Sequence, residues 1–295
     1  MTAKIISGTE TARQIREELK REIASLKEKH NLVPGLATVL VGADPASQVY
    51  VGAKEKTSKE LGIYSERYDI PVETTQAELL ARIDRLNKDP KIHGILVQLP
   101  LPKHIKETDI LYAIDPKKDV DGFHPVNVGK LMIGEADYLP CTPHGIQQLL
   151  IRSGIEIDGA EVVILGRSNI VGKPIANILL QKKEGANATV TVCHTGTRDI
   201  KFHTRRADIL IVAAGRPKAV TADMVKEGVV VIDVGVNRIG KTPEGKSILV
   251  GDVDFEAVKE KAKAITPVPG GVGPMTITML MLNTVKAAKI AAGLI

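Results

Sequence analysis

Lys54 follows Tyr50 by four residues in the stretch SQVYVGAKEK, Ser47 to Lys56. On a helix that interval turns the two side chains only about 40° apart, so they share a face. Val49, Ala53 and Leu61 form the adjacent apolar stripe. An amine at the edge of such a stripe loses solvation, its pKa falls, and a neutral amine near pH 7 can act as a base. Spacing alone leaves the plainer alternative open, a snorkelling lysine beside a packed tyrosine. Lys56 points elsewhere and reads as solvated.

Two polar positions bear on the choice. Gln98 closes the apolar run GILVQLPLP. It sits at the carboxyl end of a strand, the edge where open α/β sheets bind ligands. It is either a satisfied strand-end amide or a ligand contact. Asp119 and Asp121 share the turn KKDVDGFHP, which is either a loop motif or a carboxylate aimed at an amine-bearing ring. TPVPGGVGPMT, Thr266 to Thr276, sets prolines and glycines ahead of a helix start. It reads either as a rigid linker or as an unusual backbone held close to a ligand.

A second kind of chemistry is written in VVILGRSNIVGKPIANILL. A buried strand runs through a glycine turn straight into a helix. Gly166 would make the tight turn and Gly172 would let the helix approach closely, with helix N–H groups offered to a phosphate. The stretch departs from GxGxxG, because Ser168 stands where the middle glycine would be. A strand–turn–helix corner without ligand is the alternative. In NAD-binding folds an acidic residue about twenty positions on bonds the ribose 2'-hydroxyl. Here the next strand, ATVTVCHTGTRD, ends in Cys193, His194 and Thr195, and Asp199 is only nearby. Arg167 and Thr195 can instead meet a 2'-phosphate, which favours NADP over NAD. His194 reads as a solvated loop histidine rather than a phosphate neighbour.

These residues need a scaffold, and the chain is long enough for two domains of ordinary size at 295 residues. Charged residues make up 25%, and the net charge of +5 is spread without long like-charge runs. With three Phe, five Tyr and no Trp there are few stacking platforms, so nucleic-acid binding is disfavoured. Cys141 and Cys193 form no CxxC and no ligand cluster, and read as reduced cytosolic thiols; no metal is expected. The N-terminus lacks the apolar core of a signal peptide, and no run approaches eighteen apolar residues.

SGTE at Ser7 reads as a capping box for a helix with Ala12, Ile15, Leu19, Ile23 and Leu26 inward. Strands and helices then alternate, which argues for parallel sheets covered by helices. A turn-rich connection near Pro143 marks the domain boundary. The C-terminal TITMLMLNTVKAAKIAAG is apolar on most faces and reads as a buried helix, packed back on the first domain.

Taken in order, YVGAKEK, GILVQLPLP, KDVDGFHPVNVGKL, PCTPHGI, GRSNIVGKP and PVPGGVGPMT resemble the signature blocks of the bifunctional methylenetetrahydrofolate dehydrogenase/methenyltetrahydrofolate cyclohydrolase family. The resemblance covers nearly the whole chain. It implies an α/β chain of two domains: a catalytic, folate-binding domain of residues 1–143 with 275–295, and a Rossmann-type NADP-binding domain of 144–274. It also implies a cytoplasmic homodimer acting on folate, polyglutamylated forms included, held in a cleft between domains.

By the same resemblance, Tyr50 stacks on the folate, Lys54 is the catalytic amine, and Gln98 bonds and tunes it. Asp121 binds the pterin ring, and Pro269, Gly270 and Gly271 line the folate and nicotinamide region. Gly166, Arg167 and Ser168 form the cofactor turn, Thr195 replaces a more usual serine at the 2'-phosphate, and Val236 meets the cofactor through its backbone. Two competing readings are another NADP-dependent dehydrogenase and a non-catalytic NADP-binding protein. The set of Lys54, Gln98 and Asp121 argues against both.

Overall fold

The structure, a computed structural model, describes residues 2–242, 245 and 247–295. Along the chain run β1 (Lys4–Ile5), α1 (Gly8–His30), β2 (Gly35–Val41), α2 (Pro45–Leu61), β3 (Tyr64–Ile70), α3 (Gln76–Lys88), β4 (Gly94–Val97), α4 (Glu107–Ala113), α5 (Pro125–Ile133) and α6 (Cys141–Arg152). Then come β5 (Glu161–Leu165), α7 (Gly172–Leu179), β6 (Thr189–Cys193), α8 (Ile200–Thr204), β7 (Ile209–Val212), β8 (Val230–Asp233), β9 (Asn237–Lys241), β10 (Ser247–Val250), α9 (Phe255–Val258), β11 (Ala264–Ile265) and α10 (Val272–Ala291).

The chain divides into two compact units. One holds the residues up to Arg13 together with Thr142–Thr276; the other holds Gln14–Cys141 and Ile277–Ile295. These limits differ from the expected 1–143, 144–274 and 275–295. One reason is β1, which pairs in parallel with β11 and carries the N-terminal residues into the larger sheet.

That larger sheet has six strands in the order β1-β11-β8-β7-β5-β6, every pair parallel. Its inner strands β5, β7 and β8 are apolar apart from Glu161 at the start of β5 and Asp233 at the end of β8, because both faces are covered. Val163, Leu165, Leu210, Val212, Val231 and Ile265 belong to the core on one face. The chain leaves β5 first for β6 on one side and then for β7 on the other. Such a reversal opens the crevice where dinucleotides bind. The short hairpin of β9 and β10 is antiparallel. Its first strand, Asn237–Lys241, carries a single large apolar residue, Ile239, and so gave no strand signal.

The other unit is built on a parallel sheet of three strands, β3-β2-β4. Central β2 is buried at all seven positions, while edge strand β3 is half-buried and polar. Leu79, Ile83 and Leu86 of α3 pack on Ala37, Val39, Ile95 and Val97. The expected inward residues of α1 are all buried, and Ser7 Oγ accepts the Glu10 N–H as its cap. The C-terminal helix is buried as expected, with Met281 and Asn283 reaching α2 and the Asp121 turn of the same unit. Among the described residues, no helix is long and apolar enough to cross a membrane.

Candidate active site

Helix α2 starts where Asp44 accepts the Ser47 N–H at 2.8 Å, with Pro45 in its first turn. It ends at Gly62, whose positive φ of 83° lets its N–H close back on Lys59 and Ser58. Between these caps the inward face is Val51, Lys54, Ser58 and Leu61. This corrects the expected stripe, since Val49 is 73% exposed. Lys54 therefore lies inside the buried face rather than at its edge, at 9% exposure. Tyr50 stands at the rim, 42% exposed, and Lys56 points outward toward Glu60.

The Lys54 Nζ donates to Gln98 Oε1 at 2.9 Å. The Gln98 amide is oriented from its other end, where its Nε2 donates to the Leu99 carbonyl at 2.7 Å. Gln98 reaches this place because its own N–H continues the β4 ladder onto the Val39 carbonyl. Burial pushes the Lys54 ammonium below the usual lysine range, and the charge of Asp121 opposes that shift.

Asp121 comes from a turn fixed on three sides. The buried Asp119 carboxylate accepts the His124 N–H and the Asn127 Nδ2, both at 2.8 Å. Gly122 supplies a φ of 72° where an added Cβ would sit 3.2 Å from the Pro140 nitrogen. Asn283 donates to the Val120 and Leu139 carbonyls at 2.8 and 2.9 Å. The two aspartates thus separate: Asp119 builds the turn and Asp121 faces Lys54. Burial pushes the Asp121 carboxyl up to about 6, Lys54 holding it down and Asp119 adding to the rise. The Cys141 thiol donates toward the Val120 carbonyl at 3.4 Å and Asp121 Oδ1 at 3.6 Å, and burial holds it in the thiol form.

Two expectations follow here. Replacing Asn283 by Ala strands two buried carbonyls and lowers stability by about 2–4 kcal/mol in urea unfolding, while removing no contact to ligand. Asp121 prefers its proton more in the folded than in the unfolded chain. Its contribution to stability is complete below about pH 4 and is lost as pH rises through about 6. Relative to Asp121→Asn, the unmodified chain then loses about 3 kcal/mol of unfolding free energy between those limits. Parallel pH curves for the two proteins would refute this.

The larger sheet holds a separate cradle. Gly166 has a φ of 132°, its N–H bonds the Cys193 carbonyl, and a Cβ there would lie 2.2 Å from the Ala213 carbonyl oxygen. At Gly172 a Cβ would lie 2.1 Å from the Gly166 carbonyl oxygen. Gly172 therefore lets the helix close on the turn itself. Backbone packed this tightly, at the carboxyl end of the strand before the sheet reverses, fits a dinucleotide pyrophosphate.

The expected open N–H groups at the start of α7 are partly taken. Ser168 Oγ accepts from Val171 at 3.1 Å and from Gly172 at 3.4 Å. Arg167 reaches His194, with Nη1 3.3 Å from Nε2, so His194 is not merely solvated as expected. The Nδ1 of His194 accepts the Gly196 N–H at 3.0 Å, and the neighbouring Thr195 is exposed. Asp199 is spent capping α8 through the Phe202 N–H. Val236 is 49% exposed in the loop after β8. The Pro269–Gly270–Gly271 loop is anchored to the start of α1, where the Thr9 N–H bonds the Gly270 carbonyl at 3.0 Å. A Cβ on Gly8 would lie 1.6 Å from the Gly271 oxygen.

Residues 6–121 match the catalytic domain of tetrahydrofolate dehydrogenase/cyclohydrolase, and residues 140–292 match its NAD(P)-binding domain. The chain belongs to the tetrahydrofolate dehydrogenase/cyclohydrolase family. It is 72% identical over 294 residues to a protein called bifunctional protein FolD from Syntrophus aciditrophicus, covering 100% of both chains. The crystal structure of the bifunctional FolD enzyme of Campylobacter jejuni superposes with a TM-score of 0.91 at 52% identity, over 98% of this chain and 99% of that one. The Trypanosoma brucei dehydrogenase-cyclohydrolase, solved with NADP cofactor and an inhibitor, gives 0.93 at 40% identity, over 99% of each chain.

Of the residues the structure gathers around Lys54, sequence reasoning singled out Gln98 and Asp121 but passed over Cys141 and Asn283. Cys141 was legible only as an unpaired thiol. Asn283 is the lone amide in the apolar run TITMLMLNTV, and that contrast was its signal.

Proposed function

We infer that this chain oxidises 5,10-methylenetetrahydrofolate with NADP+ to 5,10-methenyltetrahydrofolate, and hydrolyses that product to 10-formyltetrahydrofolate. The observation that carries this reading is the buried Lys54 amine, hydrogen-bonded to an amide that is itself held at its other end and set beside Asp121. Bound NADP+ supplies the hydride acceptor. Gly166, Arg167, Ser168, Thr195 and the Val236 backbone hold it in this reading. Tyr50 stacks on the folate, Asp121 bonds the pterin ring, and Pro269, Gly270 and Gly271 line the reacting region.

The hydrolysis needs a base that becomes an acid. Water adds to the methenyl carbon and passes a proton to neutral Lys54. The ammonium so formed protonates N5 as its bond to that carbon breaks, and the second water proton leaves to solvent. A lysine of ordinary pKa is almost wholly ammonium near pH 7 and serves poorly as the base; burial shifts Lys54 in the direction a base needs. The Gln98 oxygen keeps Nζ oriented in either protonation state.

Residues 14–141 with 277–295 carry the folate chemistry in this reading, and 142–276 the dinucleotide. Family membership supports a homodimer and folates with polyglutamate tails. Two free cysteines support a reducing, cytoplasmic setting. The test follows methenyltetrahydrofolate absorbance with NADP+ and then NAD+. Starting from the methylene substrate, absorbance rises and then decays with NADP+; supplied methenyltetrahydrofolate decays at once. No rise with either cofactor would remove the dehydrogenase half of the reading.

A further inference from the structure

Behind the dinucleotide cradle lie two buried carboxylates that no step above uses, Asp233 and Asp252. Neither faces a lysine or arginine within ion-pair distance among the described residues; each is held by N–H groups. Asp252 Oδ2 accepts from Ala214 at 2.6 Å and Gly215 at 2.7 Å, and its Oδ1 accepts from Asn237 Nδ2 at 2.8 Å. Asp233 Oδ1 accepts from Gly235 at 3.0 Å and from the Asp252 N–H at 2.9 Å, while its Oδ2 accepts from Val253 at 2.9 Å. The fit leaves no slack. A Cβ on Gly235 would lie 2.1 Å from Asp252 Oδ1, and one on Gly251 would lie 1.8 Å from Asp233 Oδ2.

The segments tied this way follow β7 and β8. They sit at the carboxyl ends of strands on the opposite side of β5 from β6. The adenosine half of a dinucleotide lies toward β6, whose tip carries His194 and Thr195, so the other half lies over β7 and β8. Ala213, the residue before the held pair, packs its carbonyl on Gly166. One carboxylate therefore sets the height of the loop after β7 and ties it to the segment after β8. Almost no solvent reaches the pair, and that burial pushes the neighbouring Asp233 carboxyl up to about 6.

We propose that Asp252 is a positioning residue for the nicotinamide half of the cofactor, acting through the backbone of Ala214 and Gly215 and through Asn237. This rests on the reading that the chain binds NADP. The test is calorimetric binding of NADP+ and of 2',5'-ADP, which lacks the nicotinamide half, to the full chain and to Asp252→Asn. An Asn here keeps its oxygen on the two loop N–H groups either by aiming its NH2 at the NH2 of Asn237 or by turning the Asn237 amide over, which gives up the bond from Asn237 Nδ2 to the Gly251 carbonyl. The Kd for NADP+ rises at least about tenfold, while that for 2',5'-ADP stays within about twofold. Equal loss for both ligands, or loss for neither, overturns the proposal. Should Asp252→Asn fail to fold, Asn237→Ala carries the same comparison, with at least about threefold loss confined to NADP+. Failure of the unmodified chain to bind either ligand would instead overturn the cofactor reading.

Discussion

Lys54→Met loses cyclohydrolase activity by about a thousandfold, within the range that general acid–base groups supply, and keeps its affinity for NADP+ within about twofold. The two halves of this expectation come from different parts of the molecule. The amine and its partners Gln98 and Asp121 belong to one compact unit, and the glycine cradle belongs to the other. Methionine fills the buried volume of the lysine stem without needing the Gln98 oxygen, so the fold survives the change. Hydrolysis of methenyltetrahydrofolate, followed by loss of its absorbance, gives the rate, and titration with NADP+ gives the affinity. An unimpaired rate would remove Lys54 from the chemistry.

Gly166→Ala loses more than any surface change near the cofactor site. The residue has a φ of 132°, which non-glycine residues rarely adopt, and the new methyl would meet a backbone oxygen at 2.2 Å. Strained backbone alone accounts for about 1–3 kcal/mol, and relief of the clash displaces the loop at Ala213. The expected result is a loss of at least about 3 kcal/mol in denaturant unfolding, with NADP+ binding weakened about a hundredfold or more. Normal binding in the Ala variant would mean that the turn is not the pyrophosphate cradle.

Much of this was legible in the residue order. Alternating strand and helix signals, the glycine turn after an apolar strand, and the polar Gln98 at a strand end each follow from local chemistry. Other parts were not legible, for physical reasons. The inward face of α2 was misjudged because it contains Lys54 and Ser58, polar residues whose partners Gln98 and Met281 lie far along the chain. β1 is two residues long and has no pattern of its own; only pairing with β11 defines it. Asp252 carries no signal of its own in the sequence, since backbone N–H groups from distant loops leave no trace there. His194 acquires a neighbour only when the turn at Arg167 folds beside it.

If the turn at Gly166 holds the dinucleotide as proposed, Ser168 shapes how it meets that ligand. Its hydroxyl holds the amides of Val171 and Gly172. A loop whose amides are already engaged has little conformational freedom left to surrender. Docking there proceeds as contact with a set surface, and the entropy lost on complex formation falls mainly on the flexible nucleotide.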